Sequence, residues 1–439
     1  MKVLMLGWEF PPFISGGLGT ACYGLTRAMS KLGMEITFVL PRPVSSQFAT
    51  HVKMAGPNVG VKISGRELFN SEEFANLSFR AIDSIMRPYQ GSKEYEELMQ
   101  KLRKEGGETA QTLKELLDIT QGIRTNNYGD DLYQEVQRYA RLATIIARQE
   151  EFDVVHAHDW MTYPAGIAIS GMTGKPLVVH IHSTEFDRSG ENVNQMVYDI
   201  ERQGLHYASQ VIAVSYLTKN IVANRYSVNP DKVKVVYNAI ERDGSFMEVD
   251  ANRARIRKDE KIVLFLGRIT MQKGPEYFLA AARKVLEVMD NVKFVMAGSG
   301  DMVRPTIEMA AAMGIGHKVL FTGFLRGDDV DKVFRMADLF VMPSVSEPFG
   351  LVPLEALRND VPVLISKQSG VAEVLTHALK VDFWDIDEMA NKIVAVLRHP
   401  PLQMTLREHG NFEVRKLNWE SSARQCMEVY DSVLAAPVA

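Results

Sequence analysis

Cysteine is nearly absent from this chain: Cys22 and Cys426 are the only two in 439 residues. Thiols so few and so far apart in sequence argue against a disulfide framework or a cysteine-ligated zinc site, and they fit a reducing, cytoplasmic compartment. Long hydrophobic runs are missing as well. No apolar stretch approaches the ~20 residues that cross a bilayer, although a peripheral membrane contact is left open. The start, MKVLMLGWEF, has one early lysine and an apolar run broken by Glu9 and two prolines, so it reads as a first strand and not as a signal peptide. Nor is there a charge excess. A formal net charge of -4 supplies no basic field for nucleic acid, so any anion site has to be local. Solenoid-spaced repeats and low-complexity tracts are also lacking.

What the chain does have is an ordinary globular composition, 46% apolar, and a length that suits two or three domains. Short apolar runs alternate with helical patterns, which predicts an α/β fold with parallel sheets covered on both faces. The first half carries KVLMLG, EITFVLP, FDVVHAH, PLVVHIH and QVIAVS. The second carries KIVLFLG, VKFVMAG, KVLFTG, DLFVMP and PVLIS. Between these two sets, residues 238–261 are polar and charged and read as the interdomain linker. Residues from about 66 to 150 depart from the alternation, with Leu98, Leu102, Leu113, Leu116 and Leu117 at helical spacing, and read as a helical insertion in the first domain. Its amphipathic segment 94–118 is expected to pack on its own domain. A final helix from about Trp419 puts Trp419, Cys426, Val429, Tyr430 and Val433 on one side.

The segment SEPFGLVPLEAL, residues 346–357, is the richest in chemistry. It follows an apolar strand, and Pro353 fits only the first turn of a helix. Glu347 is therefore expected in a loop and Glu355 on the helix. The backbone amides of Phe349, Gly350 and Leu351 would be unpaired at the helix start, where the macrodipole favours an anion such as a phosphate. Carboxylates accept hydroxyls and amides donate to phosphates, so this spacing suits a nucleotide-sugar. Any single Glu here would more often be a solvated helix face; the whole string is harder to dismiss.

Other constellations point the same way. GRITMQKG, residues 267–274, puts Arg268 and Lys273 at the carboxyl edge of a strand, where ligands bind in open α/β sheets. Two cations there can neutralise a departing diphosphate. The loop of residues 7–25 follows the first strand, and Gly16 and Gly17 let an anion approach a helix start. It is long and proline-bearing, without Gly-x-Gly-x-x-Gly spacing or a Gly-Lys-Ser/Thr P-loop. FDVVHAHDW ends in His156, His158 and Asp159, and PLVVHIHSTEFD carries His180, His182, Glu185 and Asp187. Alternation puts each His pair on one face of its strand. Metal ligation is the sharp alternative; imidazoles at strand ends more often serve hydrogen bonding, and no His-Glu-x-x-His helix accompanies them, so no metal is expected. His158 and His182, nearer the strand ends, are the choices for substrate contact.

Taken in order, GGLGTA, HAHDW, VSYLTKN, VYNAI, GRITMQKG, GSGD, FTGF and SEPFGLVPLEA resemble the retaining two-domain GT-B glycosyltransferases that include glycogen and starch synthases and the family 4 sugar transferases. The match spans nearly the whole chain except the helical insertion. It implies two Rossmann-like domains facing across a cleft, an acceptor domain at 1–245 and a nucleotide-sugar donor domain at 246–418, with a helix at 419–439 crossing back to the first domain. By position it implies that Arg268 and Lys273 bind the donor diphosphate, with Gly16 and Gly17 facing the same phosphates. Glu347 would contact the sugar hydroxyls and Glu355 the ribose. His158, with His182 close by, would sit against the transferred sugar. The partners implied are a nucleoside diphosphate sugar and a glycan or other hydroxyl acceptor, with no cofactor. Glycogen synthases carry Lys-x-Gly-Gly-Leu in the first loop where this chain has Ile14, which weighs against the alternative of an α-glucan synthase using ADP- or UDP-glucose. A sugar-nucleotide epimerase on the same architecture and a catalytically silent scaffold are the other readings; loss of Arg268, Lys273 or Glu347 would mark the latter, and all three are present.

Overall fold

The computed structural model describes residues 1–11, 16–41, 62–64, 66, 69, 71–82, 84, 130–241 and 260–435. All ten apolar runs form strands. Eight strands make one sheet: β1 (Lys2–Leu6), β2 (Glu35–Pro41), β3 (Lys62–Ser64), β4 (Leu77–Ile82), β5 (Val154–His158), β6 (Leu177–Ile181), β7 (Gln210–Ala213) and β8 (Val233–Val235). Their order is β3-β4-β2-β1-β5-β6-β7-β8, with β3 antiparallel to β4. Six make the other: β9 (Lys261–Leu266), β10 (Val292–Ala297), β11 (Val319–Gly323), β12 (Leu339–Met342), β13 (Val363–Ser366) and β14 (Leu379–Val381), in the order β11-β10-β9-β12-β13-β14. The chain divides into two compact units. One comprises Met1–Val179, Asn194–Ser209 and Val433–Ala439; the other comprises His180–Val193 and Gln210–Ser432.

The second sheet shows why these runs become strands. Val263, Phe265, Phe294, Met296, Val341 and Leu364 point into one buried cluster. Their neighbours Leu264, Val295, Ala297, Phe340, Met342, Val363 and Ile365 point into another on the opposite face. Burial on both sides is what a continuous apolar run requires, and it leaves the strand ends and their loops as the places for chemistry. Counted from its own first strand, this sheet has the order 3-2-1-4-5-6 of a dinucleotide-type fold, so chain direction across the sheet reverses between β9 and β12. The eight-stranded sheet reverses likewise between β1 and β5.

Some elements differ from expectation. Within the range read as a helical insertion, Glu72–Phe74 is a short 3-10 turn and Leu77–Ile82 is a strand; Asp130–Ala147 is helical as expected. LSFRAI alternates apolar and polar residues, the mark of a half-buried strand. Leu98, Leu102, Leu113, Leu116 and Leu117 lie outside the described residues, as do 242–259 of the proposed linker. The strands β3, β8 and β14 carry too little apolar sequence to predict, being three residues each, the last two with a central lysine. The final helix is Trp419–Ala435, with Trp419, Cys426, Val429 and Tyr430 buried and Val433 half-buried.

Candidate active site

The loops that leave β9 and β12 meet at the reversal point of the six-stranded sheet. After β9, Gly267 and exposed Arg268 lead into a 3-10 turn, Met271–Lys273, and then into the helix Pro275–Leu286. Gly274 joins them at φ 66°, a left-handed conformation. A Cβ there would lie 2.2 Å from the Pro343 carbonyl oxygen, so only glycine lets the two loops approach this closely. Backbone and side-chain bonds then zip them together. Val345 N–H donates to Gln272 O at 2.9 Å, and Gln272 Nε2 donates to Ser346 O at 3.0 Å.

Lys273 Nζ lies 2.5 Å from Glu347 Oε2, and Ser344 Oγ donates to the same oxygen at 3.2 Å. Glu347 is 7% exposed. A carboxylate this buried would be costly without its cation, and the lysine is in turn held by the carboxylate at one geometry. The structure therefore brings two of the sequence-predicted residues into direct contact and sets Arg268 five residues before Lys273 on the same loop. The expected helix is Val352–Arg358, with Pro353 in its first turn. Among the described residues, no backbone acceptor meets the N–H groups of Phe349, Gly350 or Leu351. Gly350 has φ 102°. Glu355 lies on that helix as expected, and burial raises its carboxyl above the ordinary value, opposed by Arg358.

Residues to which the sequence assigns no chemical role hold this loop from behind. Ser215 Oγ donates to Pro348 O at 2.6 Å while its side chain also caps the helix Tyr216–Arg225. Gly370 packs where a Cβ would meet Pro348 O at 2.2 Å and the Ser215 Cβ at 2.5 Å. The Glu373 carboxylate accepts from the N–H groups of Tyr216 and Leu217 and from Tyr237 OH. On the other flank, Thr184 and Asp187 form a capping box on the helix Glu185–Ser189, and the second Asp187 oxygen accepts from Ser346 Oγ at 2.5 Å. VSYLTKN and VYNAI thus serve the site by bracing the loop next to Glu347. Their side chains are chemically plain, so spacing gave no signal of this role.

In the other unit, Gly16 caps the helix Gly17–Lys31. A Cβ on Gly16 would lie 2.3 Å from Glu9 Oε1, whereas Gly17 faces open space. Gly16 is therefore fixed by the buried Glu9, a residue the motif reading passed over. His158 closes β5, fully buried, its ring stacked 4.3 Å from His156 and 6.1 Å from Phe38. Burial pulls its pKa down to about 3, so the imidazole is neutral at physiological pH. The next residue, Asp159, is buried at φ 59°, a strained conformation for a residue with a side chain, and such strain collects at functional sites. His182, just past the end of β6 and in the same unit as Lys273, is half-buried and stacks 4.2 Å from buried His180, so each pair shares one strand face as alternation predicts. Ile14 lies outside the described residues.

Two Rossmann-like sheets, each with its order reversed beside its first strand, define a two-domain α/β fold of the GT-B type. Residues 247–411 match the family described as glycosyl transferases group 1, and residues 101–243 match glycosyltransferase family 4. An uncharacterized glycosyltransferase of Methanocaldococcus jannaschii is 30% identical over 98% of both chains. The chain belongs to the glycosyltransferases. It is also 24% identical to a glycogen synthase of Mycobacterium tuberculosis, over 98% of this chain and 94% of that one. Among solved structures, the sucrose-phosphate synthase of Thermosynechococcus elongatus superposes with a TM-score of 0.73 at 19% identity, covering 99% of each chain. Anabaena HepE, in a complex with UDP and glucose, gives 0.66 at 17%, covering 98% of this chain and all of that one. At these identities the structural likeness speaks for the fold. No described helix is long and apolar enough to cross a membrane.

Proposed function

We propose that this glycosyltransferase moves a sugar from a nucleoside diphosphate sugar to a glycan or other hydroxyl acceptor, with retention at C1 and without a metal ion. The observation that carries the reading is the Lys273–Glu347 contact at the β9/β12 reversal, with Arg268 on the same loop. A diphosphate arriving there meets two cations. Lys273 turns from a carboxylate partner into a phosphate partner, and Glu347, still bonded by Ser344, is left to accept sugar hydroxyls. Glu355 takes the ribose. HepE, solved with UDP and glucose, is a neighbour consistent with such a donor.

In the reaction the bond from C1 to the phosphate oxygen breaks with oxocarbenium character, and the acceptor oxygen bonds to C1 on the face the phosphate leaves. The acceptor proton passes to the departing phosphate oxygen, whose charge Arg268, Lys273 and the Gly350 and Leu351 amides stabilise. The neutral His158 can share a hydrogen bond with the sugar without placing a competing charge beside the forming cation. Incubation with UDP-, ADP- and GDP-sugars tests this, with and without an oligosaccharide acceptor. The expected result is acceptor-dependent release of the nucleoside diphosphate, a product of unchanged anomeric configuration by NMR, and a rate insensitive to EDTA. An inverted product, or loss of turnover with EDTA, would contradict the proposal.

A further inference from the structure

We propose that Trp384 is the head of a carbohydrate-stacking ledge on which an extended glycan acceptor rests. This deepens the reading above and rests on it. Of the four tryptophans, Trp8, Trp160 and Trp419 are buried while Trp384 is 58% exposed. Burying an indole is strongly favourable, so one held in water on a fixed turn points to a ligand that covers it.

The ring is rigidly backed. Phe383 meets Trp384 edge-on at 4.8 Å and 85°, and Tyr277 meets Phe383 at 5.0 Å and 69°. The turn is closed by Asp385 N–H on Asp382 O and Ile386 N–H on Trp384 O. Two connections lead from this aromatic row back to the Lys273–Glu347 pair, one from Tyr277 and one from beside Phe383. Tyr277 lies in the first turn of the helix that begins two residues after Lys273. From the other side, Glu347 N–H donates to Gln368 O at 2.9 Å, and Gln368 Nε2 donates to Asp382 Oδ1 at 3.0 Å, next to Phe383.

Charge decides the kind of ligand. Around the ring, Asp382 pairs with Lys367, Asp387 with Lys284 and Glu388 with Lys392, while Asp385 accepts from Glu388 N–H. Each of these three ammonium groups is already engaged by a carboxylate, so none of them is open to an anionic lipid surface or a free phosphate. A neutral pyranose fits. Its C–H face stacks on the electron-rich face of an indole, and its hydroxyls meet carboxylates at the rim.

Native electrophoresis of the full chain through gels containing glycogen, dextran or galactomannan tests the ledge, alongside sedimentation with phosphatidylcholine–phosphatidylglycerol vesicles and thermal shifts with UDP-, ADP- and GDP-glucose. Wild type should be retarded in at least one glycan gel. Trp384→Ala should lower that glycan's affinity roughly two- to tenfold, and Trp384→Phe, which keeps a ring, should lie between. Donor shifts should be the same in all three proteins. Retardation in none of the gels, or equal retardation of Trp384→Ala and wild type, overturns the ledge. So does a Trp384→Ala variant that loses vesicle binding or nucleotide-sugar binding instead. A wild type with no donor shift at all would strike the nucleotide-sugar reading and not the ledge, so the two failures are distinct.

Discussion

Lys273 and Glu347 hold each other at the site where they are expected to hold a donor. Truncating Lys273 leaves Glu347 as a buried charge without its partner, and truncating Glu347 leaves a half-buried ammonium without its own, so both stability and rate should fall. Lys273→Ala is expected to lower turnover by at least about two orders of magnitude, the scale of one lost transition-state charge contact. Glu347→Ala should do the same, and unchanged steady-state turnover in either variant would remove these residues from the site. His158 gives a prediction in pH. The unfolded imidazole takes its proton near 6.5 and the folded one only near 3, so between these values the unfolded state holds more protons. Stability that is complete above pH 6.5 should therefore drain as pH falls toward 3, by up to a few kcal/mol. His158→Phe keeps a stacked ring that cannot charge, and its melting temperature should fall less steeply over that interval; identical slopes would contradict the buried neutral assignment. Residue identity made Lys273, Glu347 and His158 legible in sequence. Glu9 was not, because its effect comes through the close approach to Gly16 and no spacing rule encodes it.

At the scale of elements, the loop of residues 343–351 is set by pieces far away in sequence. Ser215 spends one hydroxyl on two duties, capping a helix and donating to Pro348 O, and it is fully buried. Ser215→Ala should cost about 2 kcal/mol in chemical denaturation, one cap and one hydrogen bond. It should also lower turnover through displacement of Glu347. A variant with wild-type stability and rate would show that the loop stands without this brace. Most of the ten short apolar runs announce their strands because burial on both faces leaves a continuous signal, while the edge strand β11 is largely exposed. β3, β4, β8 and β14 do not, for an alternating or three-residue strand at or near a sheet edge carries little hydrophobic pattern of its own. The braces are invisible for a related reason: Ser215, Gly370 and Glu373 gain meaning only from what the fold places beside them.

For the whole molecule, the shared feature is a sheet whose order reverses beside its first strand, present in both sheets. Each reversal leaves two adjacent strand ends without a crossover above them, and each is where the chain keeps its special residues: Gly16, His158 and Asp159 in one, Arg268, Lys273 and Glu347 in the other. A donor bound at the second should stabilise the folded state by mass action, by about 2.7 kcal/mol at a concentration a hundred times its dissociation constant. The most direct test is a thermal-shift titration of wild type and Lys273→Ala with UDP-, ADP- and GDP-sugars. At least one sugar nucleotide should raise the melting temperature of wild type by several degrees and leave that of Lys273→Ala nearly unmoved. Equal shifts in the two proteins, or no shift of wild type with any of them, would contradict the assignment of this site to a nucleoside diphosphate sugar.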